Sequence, residues 1–361
     1  MKQKIKIAII LGTRPEIIKM SSIIRECQKQ KLDYFILHTN QHYSEDLDKI
    51  FFQELKLPKP KYNLRVGSGE QGQQTAKILS GVERVLMKEK PTIVLVQGDV
   101  NSVLGGALAG AKLNIKVGHI EAGLRSYFWD MPEEVNRVLT DHCSDLLFAP
   151  TKKAKEILIK EGIPRNKIFI AGNTIVDAVY QSLKLANKKS KILEKLGIKN
   201  KEYFLLTLHR QENVDKKERL RNIFKGLESV YKKFNLPLIY PIHPRSKKMI
   251  KKFGLKVPIG IKLISPVGFL DFLRLEINAK LVFTDSGGVQ EEACILKVPC
   301  VTLRDNTERP ETLDVGSNTL VGVNPQKILK GVNKMIKEKR DWKNPFGDGK
   351  TAKRILNIIK K

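Results

Sequence analysis

Short apolar runs alternate along this chain with longer segments in which apolar residues recur at helical spacing. The runs that predict strands in the first half lie at 5–11, 33–38, 92–97, 116–120, 145–149 and 168–171, and the helical stretches include 15–30 and 44–55. The runs that predict strands in the second half lie at 203–208, 236–241, 261–264, 281–284, 299–303 and 318–321. Strand and helix repeated in this order predict parallel sheets covered by helices on both faces.

A lysine-rich stretch at 184–201 interrupts this rhythm near the middle of the 361-residue chain. A chain of this length is too long for one ordinary core and suits two domains of roughly 150 to 200 residues each. We place the boundary within 172–185, and assign residues 1–172 to the first domain and 173–349 to the second. Two α/β domains of this kind are expected to enclose a cleft that faces the carboxyl ends of both sheets.

The hydropathy of the chain predicts no insertion into a membrane, because no apolar stretch reaches the roughly 20 residues that a span requires. Residues 1–11 superficially resemble a short secretory signal, with lysines before an apolar run. A buried first strand is expected instead, because Gly12-Thr13-Arg14-Pro15-Glu16 follows without a small-residue cleavage site. The chain is therefore expected in the cytoplasm.

Four cysteines, Cys27, Cys143, Cys294 and Cys300, show no paired spacing of metal ligands and stand in apolar or helical surroundings. Reduced core thiols are expected. The formal net charge of +28 comes mostly from lysines scattered along helix-like segments. Since no aromatic-interleaved basic patch, helix-turn-helix or zinc finger accompanies that charge, we expect no specific nucleic-acid partner.

A glycine-rich segment, Ser286-Gly287-Gly288, joins the apolar run at 279–284 to a helical pattern at 289–293. The first N–H groups of such a helix are unpaired, and two glycines let a phosphate approach the backbone. Glu292, one turn further, has the carboxylate oxygens to accept hydrogen bonds from a ribose. These features favour a nucleotide-sugar site, and the alternative is an ordinary glycine-rich turn.

Charged and polar residues follow the predicted strands, at the edge where the cleft is expected. They are Arg14, Lys19, Asp99, Glu121, Glu133, His209, Arg210, His243 and Arg309. Asp99 has the alternative of capping the next helix, and Glu133 or Glu134 that of pairing with Arg137. Glu121 requires a use or a partner, because a carboxylate beside an apolar strand is costly to bury, and Arg125 is the candidate partner.

Seven segments together resemble the non-hydrolysing UDP-N-acetylglucosamine (UDP-GlcNAc) 2-epimerases, and the resemblance extends from about residue 5 to about residue 340. They are Gly12-Thr13-Arg14-Pro15-Glu16, Gln97-Gly98-Asp99, His119-Ile120-Glu121-Ala122-Gly123-Leu124-Arg125, Pro132-Glu133-Glu134-Val135-Asn136-Arg137, His209-Arg210-Gln211-Glu212-Asn213, Thr284-Asp285-Ser286-Gly287-Gly288-Val289-Gln290-Glu291-Glu292 and Glu308-Arg309-Pro310-Glu311. The fold this resemblance implies is the glycosyltransferase-B type: α/β, with two Rossmann-like, doubly wound parallel-sheet domains and an interdomain cleft. It also implies that a last helix, at 350–361, packs back on the first domain.

The resemblance implies an isomerase of glycan biosynthesis that eliminates UDP from UDP-GlcNAc, forms a 2-acetamidoglucal and re-adds UDP to give UDP-ManNAc. The catalytic residues it implies are Asp99, Glu121, Glu133 and His209. The substrate-binding residues it implies are Arg14, Lys19, Phe272, Ser286, Gly287, Gly288, Glu292 and Arg309. No cofactor is expected, because no carbonyl is formed, and no metal is expected, because arginine, lysine and a helix N-terminus can neutralise the diphosphate.

The expected partners are a UDP-sugar substrate, a second UDP-GlcNAc molecule as activator, and a second copy of the chain in a homodimer. The activator is assigned by resemblance to Gln41, His42, Arg210 and His243; the alternative is that these residues orient catalytic neighbours. Three alternatives to the main function remain open at this stage. They are a 2-epimerase of a related UDP-2,3-diacetamido sugar, a glycosyltransferase-B-type UDP-sugar transferase, and a catalytically silent UDP-sugar sensor or nucleic-acid-binding protein.

Overall fold

The computed structural model describes residues 5–41 and 51–361, which form two compact units. The N-terminal unit contains Met1–Gln181 and Phe346–Lys361, and the C-terminal unit contains Ser182–Pro345. Within the described residues, no helix combines the length and apolar character needed to cross a membrane. Each unit is an α/β domain with one parallel sheet, as the alternating pattern predicts.

The sheet of the N-terminal unit has seven parallel strands in the order β3-β2-β1-β4-β5-β6-β7. These strands are β1 (Lys6–Leu11), β2 (Asp33–His38), β3 (Tyr62–Asn63), β4 (Ile93–Gln97), β5 (Lys116–Ile120), β6 (Leu146–Ala149) and β7 (Ile168–Ile170). The helices of this unit that precede residue 174 include α1 (Arg14–Lys29), α2 (Gln71–Glu89), α3 (Asn101–Lys112), α4 (Pro132–His142) and α5 (Lys152–Lys160). The predicted helix at 44–55 falls largely outside the described residues.

Helix α6 (Thr174–Lys189) leads from the N-terminal into the C-terminal unit. The division after Gln181 lies inside the segment 172–185 but later than the boundary placed at residue 172. The first half of α6 belongs to the N-terminal unit because its apolar residues are buried there, Ile175 and Val179 among them.

The sheet of the C-terminal unit has six parallel strands in the order β10-β9-β8-β11-β12-β13. These strands are β8 (Phe204–Thr207), β9 (Leu238–Pro241), β10 (Ile261–Ile264), β11 (Leu281–Thr284), β12 (Cys300–Thr302) and β13 (Asn318–Leu320). Its helices are α7 (Ile192–Leu196), α8 (Gln211–Val214), α9 (Lys217–Phe234), α10 (Pro244–Phe253), α11 (Phe269–Asn278), α12 (Gly287–Ile295), α13 (Pro310–Asp314) and α14 (Pro325–Met335).

The last helix, α15 (Thr351–Ile359), belongs to the N-terminal unit and packs against α1. Asp177 on α6 accepts hydrogen bonds from the backbone N–H groups of Thr351 and Ala352, at 3.2 and 3.1 Å. A carboxylate at this position satisfies the unpaired N–H groups of the helix start. The chain therefore leaves the N-terminal unit once and returns to it at its end.

The strand order determines where in each sheet the polar residues that follow the strands lie. In both sheets the first strand along the chain, β1 or β8, lies next to the strand that begins the opposite winding, β4 or β11. Ligands of doubly wound sheets bind beside this switch point, at the carboxyl ends of the strands. In the C-terminal unit, Ser286-Gly287-Gly288 follows β11 and His209 follows β8, so these residues lie at the switch point.

Candidate active site

Glu121 follows β5, and its side chain is buried in the N-terminal unit. Its backbone φ is 70°, a left-handed conformation that is strained for a residue other than glycine. Lys19 Nζ lies 2.6 Å from Glu121 Oε1, and Asn173 Nδ2 donates to the same oxygen at 3.0 Å. Gln97 Nε2 donates to the second oxygen at 3.3 Å. The carboxylate is thus fixed by partners on three separate parts of the chain.

Lys19, which the resemblance assigns to the diphosphate, therefore contacts an acid/base candidate in this structure. Arg14 stands at the first position of α1, with its guanidinium 5.5 Å from the centre of the Phe51 ring. Both cations lie in the N-terminal unit.

Glu16, in the first turn of α1, brings a further buried carboxyl to this part of the N-terminal unit. One oxygen accepts the backbone N–H groups of Gly12 and Thr13, at 3.0 and 2.8 Å. Burial outweighs these hydrogen bonds and raises the pKa of Glu16 to about 8, and the charge of nearby Asp99 adds to the rise. Glu16 is therefore mostly protonated at neutral pH.

Asp99, which follows β4, pairs with Arg137 on α4. Arg137 Nη2 and Nε lie 2.5 and 3.1 Å from Asp99 Oδ2, and Asn136 donates to the backbone oxygen of Asp99 at 2.9 Å. The helix-capping alternative for Asp99 is wrong, because the N-cap residue of α3 is Val100. Helix α4 thus orients Asp99 through two consecutive residues.

The adjacent residues Glu133 and Glu134 have opposite environments at the start of α4. Glu134 is buried, lies 2.6 Å from Arg137, and accepts the backbone N–H groups of Ser126 and Tyr127 at 2.9 and 2.8 Å. The Glu133 side chain is half-exposed and makes neither a hydrogen bond nor an ion pair with any residue that the structure describes. Glu134 therefore holds the loop before α4, whereas Glu133 is available to a ligand.

A buried network behind Glu121 was not predicted from the sequence. His119 bonds through Nδ1 to Asp141 at 2.7 Å and through Nε2 to the backbone oxygen of Gly98 at 2.9 Å. Arg125 lies 2.7 Å from Asp141 and 2.6 Å from Glu161. The prediction that Arg125 pairs with Glu121 is wrong, because Asp141 on α4 is the carboxylate that the fold brings to Arg125.

The two glycines at the start of α12 have different surroundings. A Cβ built on Gly288 would have its nearest contact at 3.9 Å, from Ser286 Oγ, so space remains beside this residue. A Cβ on Gly287 would lie 2.5 Å from Glu308 Oε1, so Gly287 is required by a close approach within the protein. Glu292 is buried one turn into the same helix.

The buried aspartate Asp285 holds His209 in place. Asp285 Oδ1 lies 3.2 Å from His209 Nδ1, and Asp285 also accepts the backbone N–H groups of His209 and Arg210. Although burial acts to raise it, these contacts hold the pKa of Asp285 below its usual value. With Nδ1 on Asp285, His209 presents Nε2 to a ligand.

Arginines of the C-terminal unit are paired with acids around the start of α12. Arg309 Nε lies 2.6 Å from Glu291, and Arg210 Nη2 lies 3.4 Å from Glu308. Arg304, which is fully buried, lies 2.8 Å from Glu308 as well. Phe272, the residue expected near a uracil, is half-buried on α11.

The four residues assigned to an activator are distributed over both units. Gln41 is buried in the N-terminal unit, and its Oε1 accepts the Ser102 backbone N–H at 3.0 Å at the start of α3. His243 caps α10 by accepting the Arg245 N–H at 3.2 Å. His42 lies outside the described residues. Gln41 and His243 thus each accept a backbone N–H group at the start of a helix.

Side chains that could hold a metal are not grouped in the described residues: no cluster of three or more His, Cys, Asp or Glu has suitable geometry there. The four cysteines are free thiols, three of them buried and Cys143 half-buried.

Two doubly wound parallel-sheet domains, one with an open helix start and the other with fixed carboxylates, define an α/β fold of the glycosyltransferase-B type. The profile of the family described as UDP-N-acetylglucosamine 2-epimerase matches residues 25–360, and the chain belongs to that family.

Individual relatives agree with this membership. UDP-N-acetylglucosamine 2-epimerase of Methanocaldococcus jannaschii is 59% identical over 360 residues, which is 98% of each chain. The crystal structure of that enzyme in complex with UDP-GlcNAc and UDP superposes with a TM-score of 0.93, covering 98% of this chain and 99% of that one. UDP-2,3-diacetamido-2,3-dideoxy-D-glucuronate 2-epimerase of Pseudomonas aeruginosa is 40% identical over 362 residues, 99% of each chain. The chain is thus an epimerase of the isomerase class.

Proposed function

We propose that this chain interconverts UDP-GlcNAc and UDP-ManNAc as a non-hydrolysing UDP-GlcNAc 2-epimerase. The observation that carries the proposal is the buried Glu121 carboxylate, fixed by Lys19 and two amides at the carboxyl end of β5. The 59% identity to the M. jannaschii UDP-GlcNAc enzyme, against 40% to the diacetamido-glucuronate enzyme, supports UDP-GlcNAc as the substrate.

The reaction requires elimination before epimerisation, because the C2 proton of UDP-GlcNAc is not next to a carbonyl. When the C1–O bond breaks, its electron pair leaves with UDP and C1 gains oxocarbenium character. A carboxylate then takes the C2 proton, and the C2–H electron pair forms the double bond of 2-acetamidoglucal. Protonation of C2 from the opposite face, with re-attack of UDP at C1, gives UDP-ManNAc.

Proton transfer on two faces of C2 requires more than one acid/base group. We assign these steps to Asp99, Glu121 and Glu133 as a set. Asp99 and Glu121 are held by Arg137 and Lys19 respectively, and fixed geometry lowers the cost of reaching the transition state. Because Lys19 contacts Glu121, we place its positive charge with the acid/base groups as well as with the leaving diphosphate.

The UDP group is assigned to residues of the C-terminal unit, with Arg14 adding positive charge from the N-terminal unit. The N–H groups at Ser286, Gly287 and Gly288 receive the diphosphate at the helix start, and His209 donates from its ring. Glu292 accepts the ribose hydroxyls, Phe272 contacts the uracil, and Arg309 completes the positive surroundings. We also infer, on the resemblance of the motifs alone, a cytoplasmic homodimer that a second UDP-GlcNAc activates.

A deuterium experiment tests the proposed reaction. Incubated with UDP-GlcNAc in deuterated water and no acceptor, the protein is expected to form an isomeric UDP-sugar that carries deuterium at C2, because the proton is returned from solvent-exchanged groups. Nuclear magnetic resonance of the product measures both results. A transferase or a silent sensor would form no isomer without an acceptor, and product that retains its original C2 hydrogen would exclude the elimination mechanism.

Gly288→Ala is expected to weaken UDP binding about 10- to 100-fold, the loss that corresponds to about one charge-assisted hydrogen bond, with little change in melting temperature. The methyl group enters open space, its nearest neighbour being 3.9 Å away, but blocks the approach of a phosphate to the backbone. Isothermal titration calorimetry with UDP measures the affinity.

Gly72→Ala is the matched control, because a Cβ there meets nothing within 4 Å and the residue lies on α2 of the other unit. Its UDP affinity is expected to equal that of the unsubstituted protein. Equal affinities for both variants would place the diphosphate away from the start of α12.

A further inference from the structure

His119 on β5 is completely buried, and both nitrogens of its ring face oxygen atoms of the N-terminal unit. Nδ1 lies 2.7 Å from Asp141 Oδ1, and Nε2 lies 2.9 Å from the backbone oxygen of Gly98. A backbone carbonyl oxygen can only accept a hydrogen bond. The contact with Gly98 therefore requires a proton on Nε2.

The surroundings of Asp141 place a second proton on the ring, at Nδ1. Asp141 Oδ2 accepts the backbone N–H group of Gly123 at 3.1 Å and lies 2.7 Å from Arg125 Nη2. These donors stabilise the ionised carboxylate, which can only accept a hydrogen bond from Nδ1. A neutral imidazole would direct one lone pair at an acceptor, whichever nitrogen carried its single proton. The two contacts together are those of an imidazolium cation.

The charged groups around the ring compensate one another. Asp141 on α4 and Glu161 after α5 supply two negative charges, while His119 and Arg125 supply two positive charges, with Arg125 Nη2 2.6 Å from Glu161. His142, which is exposed, lies 3.9 Å from Glu161. A buried cation requires such partners, because an unpaired charge is costly to remove from water.

Gly98, the residue before Asp99, has both of its backbone polar groups held by β5. Its N–H group donates to the backbone oxygen of Ile120 at 3.1 Å, and its oxygen accepts from His119. The φ of Gly98 is 90°, one of many conformations open to a glycine, so contacts must select it. A Cβ built on Gly98 would lie 3.8 Å from Glu121 Oε2, so this turn also adjoins the Glu121 carboxylate.

We propose that His119 is a positioning residue which, as a buried imidazolium, holds the Gly98 carbonyl and thereby fixes the turn that presents Asp99 to the sugar. This inference rests on the proposed function, in which Asp99 is one of the acid/base groups. Arg137 and Asn136 hold Asp99 from α4, whereas His119 holds the preceding residue from β5. A hydrogen bond from a cation is about twice as strong as a neutral one, so the glycine turn keeps one conformation.

The kinetic test compares two substitutions that each keep one donor of the ring. The amide nitrogen of His119→Gln reaches the position of Nε2 and can donate to Gly98, whereas that of His119→Asn reaches the position of Nδ1 and can donate only to Asp141. His119→Asn is expected to lower kcat about 10- to 100-fold, and His119→Gln less than about 5-fold, because small displacements of a catalytic group have effects of this size.

Each variant is the control for the other, because both remove the charge and place an amide in the same site. UDP affinity, measured by calorimetry, is expected to stay within about 2-fold of the unsubstituted protein in both, because UDP is assigned mainly to the C-terminal unit. Equal loss of kcat in the two variants, or a more active His119→Asn, would overturn the positioning role.

Nitrogen-15 nuclear magnetic resonance of protein labelled in its six histidines tests the charge without any ligand. At about pH 8, where an exposed histidine is neutral, His119 is expected to show N–H signals from both ring nitrogens, which His119→Gln lacks. A single protonated nitrogen would overturn the proposal, even if His119→Asn does not fold. This result does not depend on turnover; failure of the unsubstituted protein to form UDP-ManNAc would instead refute the proposed function.

Discussion

Glu133→Gln is expected to lower turnover of UDP-GlcNAc at least ~100-fold, because a positioned acid or base contributes about that much to a proton transfer. Stability and UDP affinity are expected to remain close to those of the unsubstituted protein. The reason is that the half-exposed Glu133 side chain contributes no hydrogen bond or ion pair to the described part of the fold. Steady-state kinetics, thermal unfolding and calorimetry with UDP measure the three properties.

Glu134→Gln is the matched comparison, because it makes the same chemical change one residue further along α4. Its carboxylate holds Arg137 and the backbone of Ser126 and Tyr127, so its loss is expected to lower the melting temperature. If Glu133→Gln is near normal while Glu134→Gln is stable but inactive, the acid/base role belongs to Glu134. Asp99→Asn and Glu121→Gln are expected to lower turnover by at least ~100-fold as well.

Asp141→Ala is expected to destabilise the N-terminal unit by about 3–5 kcal/mol, the usual cost of removing one partner from a buried ion pair. The substitution leaves Arg125 buried beside a single partly exposed partner, Glu161, and removes the acceptor of His119 Nδ1. Urea unfolding measures the loss. Glu218→Ala, which removes an exposed partner of Arg221, is the control and is expected to change stability by less than about 0.5 kcal/mol.

The contribution of Asp141 to the free energy of unfolding is expected to depend on pH in a defined direction. Burial acts to raise the pKa of Asp141, but His119 and Arg125 outweigh it and hold the pKa below its ordinary value. A carboxyl whose pKa is lowered on folding stabilises the protein above the unfolded-state pKa of about 4, and the stabilisation is lost as the pH falls further. The difference in free energy of unfolding between the unsubstituted protein and Asp141→Ala is therefore expected to become smaller below about pH 4. If this difference in free energy of unfolding stays constant down to pH 2, the destabilisation by Asp141→Ala comes from lost packing and not from lost charge.

The alternating pattern located the strands of both sheets because a buried parallel strand is a short continuous apolar run. Four predicted strands agree with the structure at both ends, such as 33–38 and 261–264. The two-residue strand Tyr62–Asn63 was missed, because two residues carry no periodic signal. The division after Gln181 lies within the segment 172–185 chosen for the boundary, and it falls inside helix α6.

Contacts between distant parts of the chain were the part of the site that the sequence did not reveal. Lys19 and Glu121 are 102 residues apart in sequence, and the sequence around either residue does not indicate that the other is its partner. Arg125 was matched with the nearest acid along the chain, whereas the fold supplies Asp141 from α4.

The return of the chain to the N-terminal unit has a consequence for synthesis on the ribosome. The C-terminal unit, Ser182–Pro345, is continuous in sequence, whereas the N-terminal unit lacks α15 until residues 351–359 emerge. Domains usually complete folding in the order in which they are made. Here the order is inverted: the second unit can finish first, while the buried face of α1 that packs against α15 stays open to water. During translation, the face of α1 that packs against α15 is therefore the surface that a chaperone would need to cover, although it is buried in the folded protein.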